Sequence, residues 1–378
     1  MSSNGERNKT FTILSCIGIV LIILGHLNFG ILEFGGLFPY YSYHVMIFVF
    51  VSGYFYKKED EKNILGLVKR KAKRLLLPYM ITNLLIGIIV SLLHRAGIIF
   101  GGRLTPVTLF VEPFTDGHQF MLNAPAWFIP ALFLLELFNV IARKVLGYVK
   151  ADNEYVIFVI YFLLGIACVI LSQRGSIYDY YRIPGRIMLM APVFQAGRLY
   201  AAKLERFNNL GIIGNGIYFT IILILNLILC KTMAGLGFSV AWVNGFNNNP
   251  FIPFVTSFTG IALWLKISQI LARIDLKNGF ADYMGRHTGY ICIFHLAASF
   301  ALNSLLAFLH TKGSLDGFDM TLYKGDVYYA YVPAGADAFK LIYLAVCIIL
   351  PIVFCLLYDK VASIFKNAGK RRVLKQEN

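Results

Sequence analysis

Two histidines lie within the first two hydrophobic segments of the chain, at matching depths. His26 ends the apolar run 11–26, and His44 lies at the start of the next one, 43–54. An ionisable side chain at membrane depth is energetically costly, so it usually faces a protein interior or a water-filled cavity. A neutral imidazole is a suitable general base at physiological pH, and a medium of low dielectric constant favours the neutral form. The two histidines therefore predict either proton-transfer chemistry inside the membrane or a pair that only joins two helices.

A cluster of five cations precedes the third hydrophobic segment. The five are Lys69, Arg70, Lys71, Lys73 and Arg74. Lysine and arginine at the start of a helix bind multiply charged anions, but the same residues beside a membrane span also act as a topological anchor. The cluster therefore indicates either a phosphate clamp or an anchor.

Two more ionisable side chains lie within apolar segments. Glu136 is near the middle of its segment, where its carboxyl must be protonated or paired, either for function or in a structural hydrogen bond. His295 lies in the inner half of its segment and either lines the same cavity as His26 or satisfies a packing contact. The six cysteines show no CxxC spacing, so neither disulfides nor a zinc site is expected. No metal is predicted.

The composition is that of a polytopic membrane protein. Of the 378 residues, 58% are hydrophobic and 15% are charged, whereas a soluble domain carries about 25% charged residues. The apolar residues fall in blocks of about twenty, the length that crosses ~30 Å of hydrocarbon. Because backbone polar groups in lipid must bond internally, these blocks should be helices. We therefore predict a single all-α integral membrane domain over 1–378 with about ten transmembrane helices. The predicted spans are 11–30, 38–56, 74–93, 126–142, 154–172, 185–201, 210–230, 251–271, 288–309 and 338–358.

The basic residues predict the orientation of these spans. Twenty-six of the 35 Lys and Arg residues lie at one side of the predicted bundle, which by the positive-inside rule places both termini in the cytoplasm. The two longest loops, 94–125 and 310–337, then lie outside as ordered caps or acceptor contacts. The basic tail 366–375 is expected near anionic membrane lipids. The net charge is +15, but the basic residues do not form a face interleaved with aromatic residues. Nucleic acid is therefore not an expected partner.

Five short motifs occur in order along the chain. They are Gly25-His26, Phe-Val-Phe-Val-Ser-Gly-Tyr at 48–54, Lys-Ala-Lys-Arg-Leu-Leu-Leu-Pro-Tyr at 71–79, Ala-Trp-Phe-Ile-Pro-Ala-Leu at 126–132, and Gly-Arg-His-Thr-Gly-Tyr at 285–290 followed by His295. In this series the chain resembles the membrane acyltransferase 3 family, integral-membrane O-acyltransferases that modify bacterial surface glycans, and within it the fucose 4-O-acetylase-like branch. The resemblance covers nearly the whole chain.

The resemblance implies roles for individual residues. His26 matches the family's essential histidine of the first span. Ser52 and Tyr54 belong to a segment that matches its Ser-Gly-Tyr motif, and Lys71 and Arg74 match a basic pair placed near the phosphates of acyl-CoA.

One position departs from the family's pattern. Ser15 stands eleven residues before His26, where the family commonly has Arg or Lys. A cation is therefore missing from the expected donor channel. Either neighbouring cations compensate, or the donor is bound differently, or activity is reduced.

The combined expectation is an O-acyltransferase that takes acetyl-CoA from the cytoplasm. It would acylate a sugar hydroxyl of a surface or lipid-linked glycan at the plasma membrane, which is the inner membrane in a bacterium. His26 would act as the base, and His44 would orient it or donate to the oxyanion; a covalent acyl-histidine is the alternative route. The expected donor-binding residues are Arg70, Lys71, Arg74, Ser52 and Tyr54, and the expected acceptor-binding residues are Glu136, Trp127 and His295.

Two other functions compete with this one. A proton-coupled transporter or flippase for a glycan or lipid would also use buried histidines and a carboxylate, but it predicts repeated broken helices, which the sequence does not contain. An acyltransferase-like protein with reduced catalysis is the third possibility, and Ser15 keeps it open.

Overall fold

The computed structural model describes residues 8–208, 210–274 and 279–376, and their side chains except those of 207, 280, 358, 359 and 361–376. The basic tail 366–375 lies outside the described side chains, so its contact with lipid stays a prediction. Every regular element in the described ranges is helical, as predicted. The α-helices are α1 (Lys9–His26), α2 (His44–Tyr54), α3 (Ile64–Lys71), α4 (Leu77–Arg95), α5 (Pro106–Phe110), α6 (Phe128–Tyr148), α7 (Glu154–Gln173), α8 (Arg182–Leu199), α9 (Ile212–Thr232), α10 (Ile252–Arg273), α11 (Phe280–Arg286), α12 (Thr288–Thr311), α13 (Met320–Gly325) and α14 (Lys340–Gln376).

Eight helical stretches in the described part of the chain are long and apolar enough to cross a membrane. The other two predicted spans coincide with α2, which has only 11 residues, and with α8, which contains three arginines. The protein is therefore a multi-pass membrane protein, and the count of ten spans stays a prediction. The end of the bundle where α1 begins is called the inner end below, and the opposite end the outer end.

Helix α1 lies between two hydrophobic clusters. Its side chains Leu14, Leu21 and Leu24 belong to a cluster built mainly on α2, α6, α7, α8 and α10. Its side chains Ile19 and Ile23 belong to a second cluster, built on α4, α12, α14 and the outer loops. Both α1 and α10 are 61% buried, whereas α9 at the periphery is only 17% buried. Residues at the end of α1 are therefore positioned by both clusters.

Glycines allow α2 and α8 to approach closely. Gly53 of α2 lies directly on the carbonyl of Phe194, and Gly197 of α8 lies directly on the carbonyl of Phe50. Neither position has room for a methyl group. Small residues at such contacts are typical of membrane helices, which associate by close backbone packing and not by expelling water.

A π-helical segment, Ala72–Leu76, joins α3 to α4 in one helical stretch, Ile64–Arg95. Such segments interrupt the regular i→i−4 bonding and occur often at functional sites. Here the segment lies within the predicted cation cluster, and it changes the rotation between the residues on either side of it. Arg70 and Lys71 at the end of α3 and Arg74 within the segment all reach the same cavity.

The loop predicted outside the bundle over 94–125 is not wholly external, which corrects the sequence expectation. Its last part enters the 3₁₀ segment Met121–Trp127, whose residues from 122 onward are buried. The carbonyl of Pro125 accepts a weak bond from the Cys292 thiol of α12 at 3.7 Å, and Ala126 packs with Tyr79 of α4. The chain therefore turns back into the bundle before α6 begins, because apolar residues and a proline here suit neither a solvated loop nor a regular helix.

Candidate functional site

His26 is the last residue of α1, and the ring of His295 lies against it. The two imidazoles are nearly parallel, with centroids 5.1 Å apart, and the Nδ1 atom of His26 is 2.8 Å from the Nε2 atom of His295. His26 is half-buried, while His295 is only 1% exposed. The chain leaves α1 through Asn28, whose φ of 47° is a left-handed conformation that Asn tolerates well. His26 is therefore held at a helix end against the ring of His295.

The hydrogen bonds fix the tautomers of both rings when they are neutral. The Nδ1 atom of His295 is 3.0 Å from the carbonyl oxygen of Ile291, which only accepts, so this nitrogen carries the proton. The Nε2 atom of His295 is then an acceptor, and His26 donates to it from Nδ1. This arrangement leaves a lone pair on the Nε2 atom of His26. The relay of Ile291, His295 and His26 thus presents a general base.

The partner of His26 differs from the sequence expectation. For His295, in the inner half of its helix, the sequence left open whether it lines the same cavity as His26 or makes a packing contact, and the structure places the two side chains in contact. His44 instead makes a 2.6 Å bond from Nδ1 to the carbonyl of Tyr40, and no hydrogen bond joins it to His26 in the described ranges. With its only proton on Nδ1, a neutral His44 has none at Nε2 to donate to an oxyanion. The orienting role predicted for His44 therefore falls to His295.

Tyr328 from the outer loop covers the histidine pair. Its ring centroid lies 5.3 Å from that of His26, and it lines the same narrow pocket as both histidines. Burial, together with the nearby Tyr41 and Asp326, raises the pKa of Tyr328 to about 12. Its hydroxyl is therefore protonated at neutral pH and able to donate a hydrogen bond. No sequence motif marks Tyr328, because only the fold brings its loop over α1.

A cavity of about 980 Å³ opens at the inner end of the bundle. All five residues predicted to bind the donor line it, together with the departing position Ser15 and the carboxylate of Glu136. These residues are Ser15, Ser52, Tyr54, Arg70, Lys71, Arg74 and Glu136. The structure thus brings the predicted donor residues together around one cavity.

Two cations of this cavity are already paired with carboxylates. Lys71 Nζ lies 2.7 Å from Oε1 of Glu136, and Arg70 lies 2.5 Å from Asp60. Ser52 Oγ also donates to Oε1 of Glu136, at 2.7 Å. The other carboxylate oxygen of Glu136 is buried without a partner. Glu136 is therefore paired, as its position in an apolar segment required, but it lies among the predicted donor residues and not beside the histidines.

Arg74 and Tyr54 complete the charge pattern of the cavity. Arg74 has no ion pair or hydrogen bond among the described residues. The Tyr54 hydroxyl donates to Glu205 at 2.7 Å and accepts from Asn8 at 3.2 Å. With Lys57 included, four cations and two carboxylates line the cavity. The excess of positive charge suits a polyanion.

Trp127 was expected to bind the acceptor, but the structure places it in the core. It is 5% exposed, and the guanidinium of Arg186 lies 5.1 Å from its ring. Arg186, itself 2% exposed, donates to the carbonyls of Ala241 and Asp116 in two outer loops at 2.8 and 2.7 Å. Trp127 and Arg186 therefore tie the outer loops to the buried segment, and the role of Trp127 in acceptor binding stays a prediction. Arg186 lies within the predicted span 185–201, and an arginine at such a position indicates a buried partner.

Helices α1 and α12 connect the cavity to the histidine pair. Ser15 and Thr288 line the cavity, and His26 and His295 lie further along the same two helices. At 1.5 Å per residue the separations are about 16 Å on α1 and about 10 Å on α12. A long, thin ligand held in the cavity could reach the base along the interface of these helices.

Comparison with known proteins identifies the class of this site. A family described as an acyltransferase domain matches residues 11–358, a stretch that contains every predicted site residue. Neither the search of curated proteins nor that of solved structures finds a match. Since the matched stretch covers most of the chain, the protein belongs to the membrane acyltransferase 3 family and is a multi-pass membrane acyltransferase.

Proposed function

We propose that this protein transfers a short acyl group, acetyl in the simplest case, from acyl-CoA to a sugar hydroxyl of a surface or lipid-linked glycan. The observation that carries the proposal is the relay of Ile291, His295 and His26, which leaves a lone pair on the Nε2 atom of His26. This base stands at the end of a helix that begins beside a basic cavity. The match of residues 11–358 to an acyltransferase family favours acyl transfer over transport.

In this reaction His26 Nε2 removes the proton of the acceptor hydroxyl as its oxygen attacks the thioester carbonyl. A C–O bond forms, the C–S bond breaks, and the thiolate leaves with the electron pair of that bond. The proton on His26 then passes to the thiolate, which gives free CoA and regenerates the neutral base. His295 supports the step because its Nε2 lone pair faces the N–H of the His26 imidazolium.

The donor would hold its phosphates in the inner cavity and extend its pantetheine arm between α1 and α12. The phosphates of CoA cannot cross lipid, so a cytoplasmic donor must enter at the basic end of the bundle. Arg74 has no partner among the described residues and is available to them at once. Lys71 and Arg70 become available where the phosphates displace Glu136 and Asp60. The absence of a cation at Ser15 is offset by the excess of basic residues around the cavity.

The acceptor would approach from the outer end, where His26 is half-buried beside two tyrosines. Tyr41 packs on Gly25 and donates to its carbonyl at 2.9 Å, and Tyr328 covers the pair. Aromatic rings with polar tips suit the mixed apolar and polar faces of a sugar. This arrangement, and the excess of basic residues at the inner end, support a plasma-membrane enzyme with its acceptor outside.

Replacement of His26 tests the proposal. His26→Gln keeps the side-chain volume and one hydrogen bond but removes the base, so transfer should fall on the order of a hundred-fold or more. Membranes of the native host, with and without the variant, supply the acceptor, and mass spectrometry of the extracted glycans after incubation with isotope-labelled acetyl-CoA measures transfer.

The matched control is His310→Gln. His310 is also half-buried, lies on α12, and bonds the carbonyl of Leu315 at 2.7 Å, away from both candidate sites. Its replacement should leave transfer unchanged. Near-normal glycan acylation by the His26→Gln protein would refute the assignment of His26 as the base.

A further inference from the structure

A narrow apolar crevice adjoins the histidine pair on its outer side. It does not admit a water molecule. Its walls come from α1, α12, α14 and the outer loop. The lining residues are Ile23, His26, Leu27, His295, Leu296, Ser299, Val327, Tyr328 and Cys347. No lysine, arginine or carboxylate is among them, so the crevice is suited to an uncharged group.

Most of the crevice is rigid. Leu296 and Val327 are 3% and 4% exposed, and Cys347 is 1% exposed. The thiol of Cys347 bonds the carbonyl of His295 at 3.2 Å, which ties α14 to the relay itself. Apart from His26, Tyr328 is the half-buried residue of the lining, so a ligand in the crevice gains room chiefly by displacing this ring.

The loop that carries Val327 and Tyr328 is fastened to the bundle by a buried polar chain. Asn303 of α12 donates to the carbonyl of Tyr329 at 2.6 Å, and it accepts from the Tyr343 hydroxyl of α14 at 2.5 Å. Tyr343 in turn accepts from the backbone N–H of Tyr331 at 2.9 Å. The outer wall of the crevice is therefore held at Tyr329 and Tyr331, directly after Tyr328 in the chain.

The position of the crevice determines what would enter it. A donor that comes from the inner cavity along α1 and α12 presents the acyl group first, because this group is the tip of the thioester arm. Leu27 and Leu296 directly follow His26 and His295 along the two helices. The tip of the arm therefore meets the crevice as its thioester reaches the base.

We propose that this crevice is the acyl pocket and that it restricts the enzyme to short, uncharged acyl groups. The inference rests on the proposed function and specifies its donor. An acetyl methyl fits with a small shift of Tyr328, whereas each further methylene presses on the buried walls. A succinyl group would place a carboxylate against Leu27, Leu296 and Val327 without a partner, which is strongly unfavourable.

The test compares donors of different length in membranes from the native host, which contain both the enzyme and its acceptor. Acetyl-, butyryl- and succinyl-CoA are supplied separately at equal low concentration, and initial rates of glycan acylation are measured by mass spectrometry. One methylene in an apolar pocket is worth roughly tenfold or more in selectivity. We expect the wild-type protein to prefer acetyl- over butyryl-CoA by more than roughly tenfold and to reject succinyl-CoA.

Leu296→Ala enlarges the crevice and should raise the ratio of butyryl to acetyl transfer roughly tenfold. Val327→Ala enlarges the crevice at the opposite wall, which a loop forms, and it provides the same test if the first variant does not fold. The control is Leu306→Ala, which removes the same atoms from a buried position of the same helix (8% exposed) outside the crevice; its ratio should match wild type. Because the readout is a ratio within one protein, differences in expression cancel.

Two results overturn the proposal. The assignment of the crevice as the acyl pocket is wrong if the wild-type protein uses butyryl- or succinyl-CoA as well as it uses acetyl-CoA. It is also wrong if neither crevice variant changes the ratio of butyryl to acetyl transfer. In both cases the proposed acyl transfer still stands. If the wild-type membranes transfer no acyl group from any of the three donors, the proposed function fails and the pocket with it.

Discussion

At the residue scale, the reactivity of His26 depends on a second histidine. A lone neutral imidazole exchanges between two tautomers, and only one of them places the lone pair at Nε2. His295 removes this ambiguity because its own proton is committed to the Ile291 carbonyl. In the proposed reaction it is a positioning residue, since it acts on the acceptor proton through His26.

This role makes a prediction about substitutions of His295. Leu cannot accept the proton of His26, so His295→Leu should lower transfer on the order of a hundred-fold. Gln offers an amide oxygen as acceptor and an N–H for the Ile291 carbonyl, so His295→Gln should restore a substantial part of it. Both rates are measured by glycan acylation, with the amount of folded protein determined from thermal unfolding in detergent. Equal losses in the two variants would indicate that His295 only fills space.

At the element scale, one helical stretch shapes the basic side of the cavity. It consists of α3, the π-helical segment and α4. Three cations from this stretch face the cavity, but two are balanced by Asp60 and Glu136. The ion pairs satisfy partly buried charges before the donor binds. The affinity for a polyanion then depends on Arg74, on Lys57, which also lines the cavity, and on how readily Asp60 and Glu136 release Arg70 and Lys71.

Two substitutions in this cavity should change donor affinity in opposite directions. Arg74→Gln removes the unpaired cation and should raise the KM for acyl-CoA roughly tenfold, since a hydrogen bond to a charged group contributes ~1.5–3 kcal/mol. Glu136→Gln keeps an acceptor for Ser52 and Lys71 but removes a charge that repels phosphate, so the KM should fall severalfold. Lys73→Gln, an exposed neighbour that does not line the cavity, controls for the loss of overall charge. A KM for Arg74→Gln equal to that of the control would leave this arginine with an anchoring role only.

The contact between α2 and α8 makes a separate prediction about stability. A methyl group at Gly53 would overlap the carbonyl of Phe194, so Gly53→Ala should destabilise the folded protein by ~1–3 kcal/mol or more. The matched control is Gly216→Ala on α9, where nothing lies within 4 Å of the added carbon. Thermal unfolding in detergent compares the two variants. A Gly53→Ala protein as stable as the control would show that the two helices separate easily.

At the scale of the whole molecule, one bundle joins a basic inner cavity to a base near its outer end. The two requirements of the proposed reaction are thereby separated: a charged donor stays on the side of the basic loops, and its acyl tip alone passes between α1 and α12. Helix α1 is suited to this role because both hydrophobic clusters pack against it.

The orientation of the bundle in the membrane is a further prediction. Cysteines introduced at the exposed positions Lys69 and Lys312 should behave differently toward an impermeant thiol reagent. The cysteine at 312, in the outer loop, should react in intact cells, and the cysteine at 69 only after lysis. The unsubstituted protein, treated in the same way, controls for its six native cysteines. The reverse pattern would invert the topology and place the basic cavity outside.

The sequence by itself determined where the helices lie and which residues line the inner cavity. All ten apolar segments are at least partly helical, because a backbone in lipid has no other way to satisfy its polar groups. Ser52, Lys71 and Arg74 could be assigned to one cavity because the resemblance covers local motifs and the positive-inside rule orients short loops.

The tertiary structure alone decided which helix faces meet. His26 and His295 are 269 residues apart, and helical periodicity gives each helix an apolar face without specifying its neighbour. That choice depends on the packing of α1 against two clusters and on close glycine contacts, which are properties of pairs of helices. The buried segment Met121–Trp127, the core position of Trp127 and the pairing of Glu136 with Lys71 follow from the same packing. For this reason the acyltransferase family could be predicted from the sequence, but the contact between His26 and His295 could not.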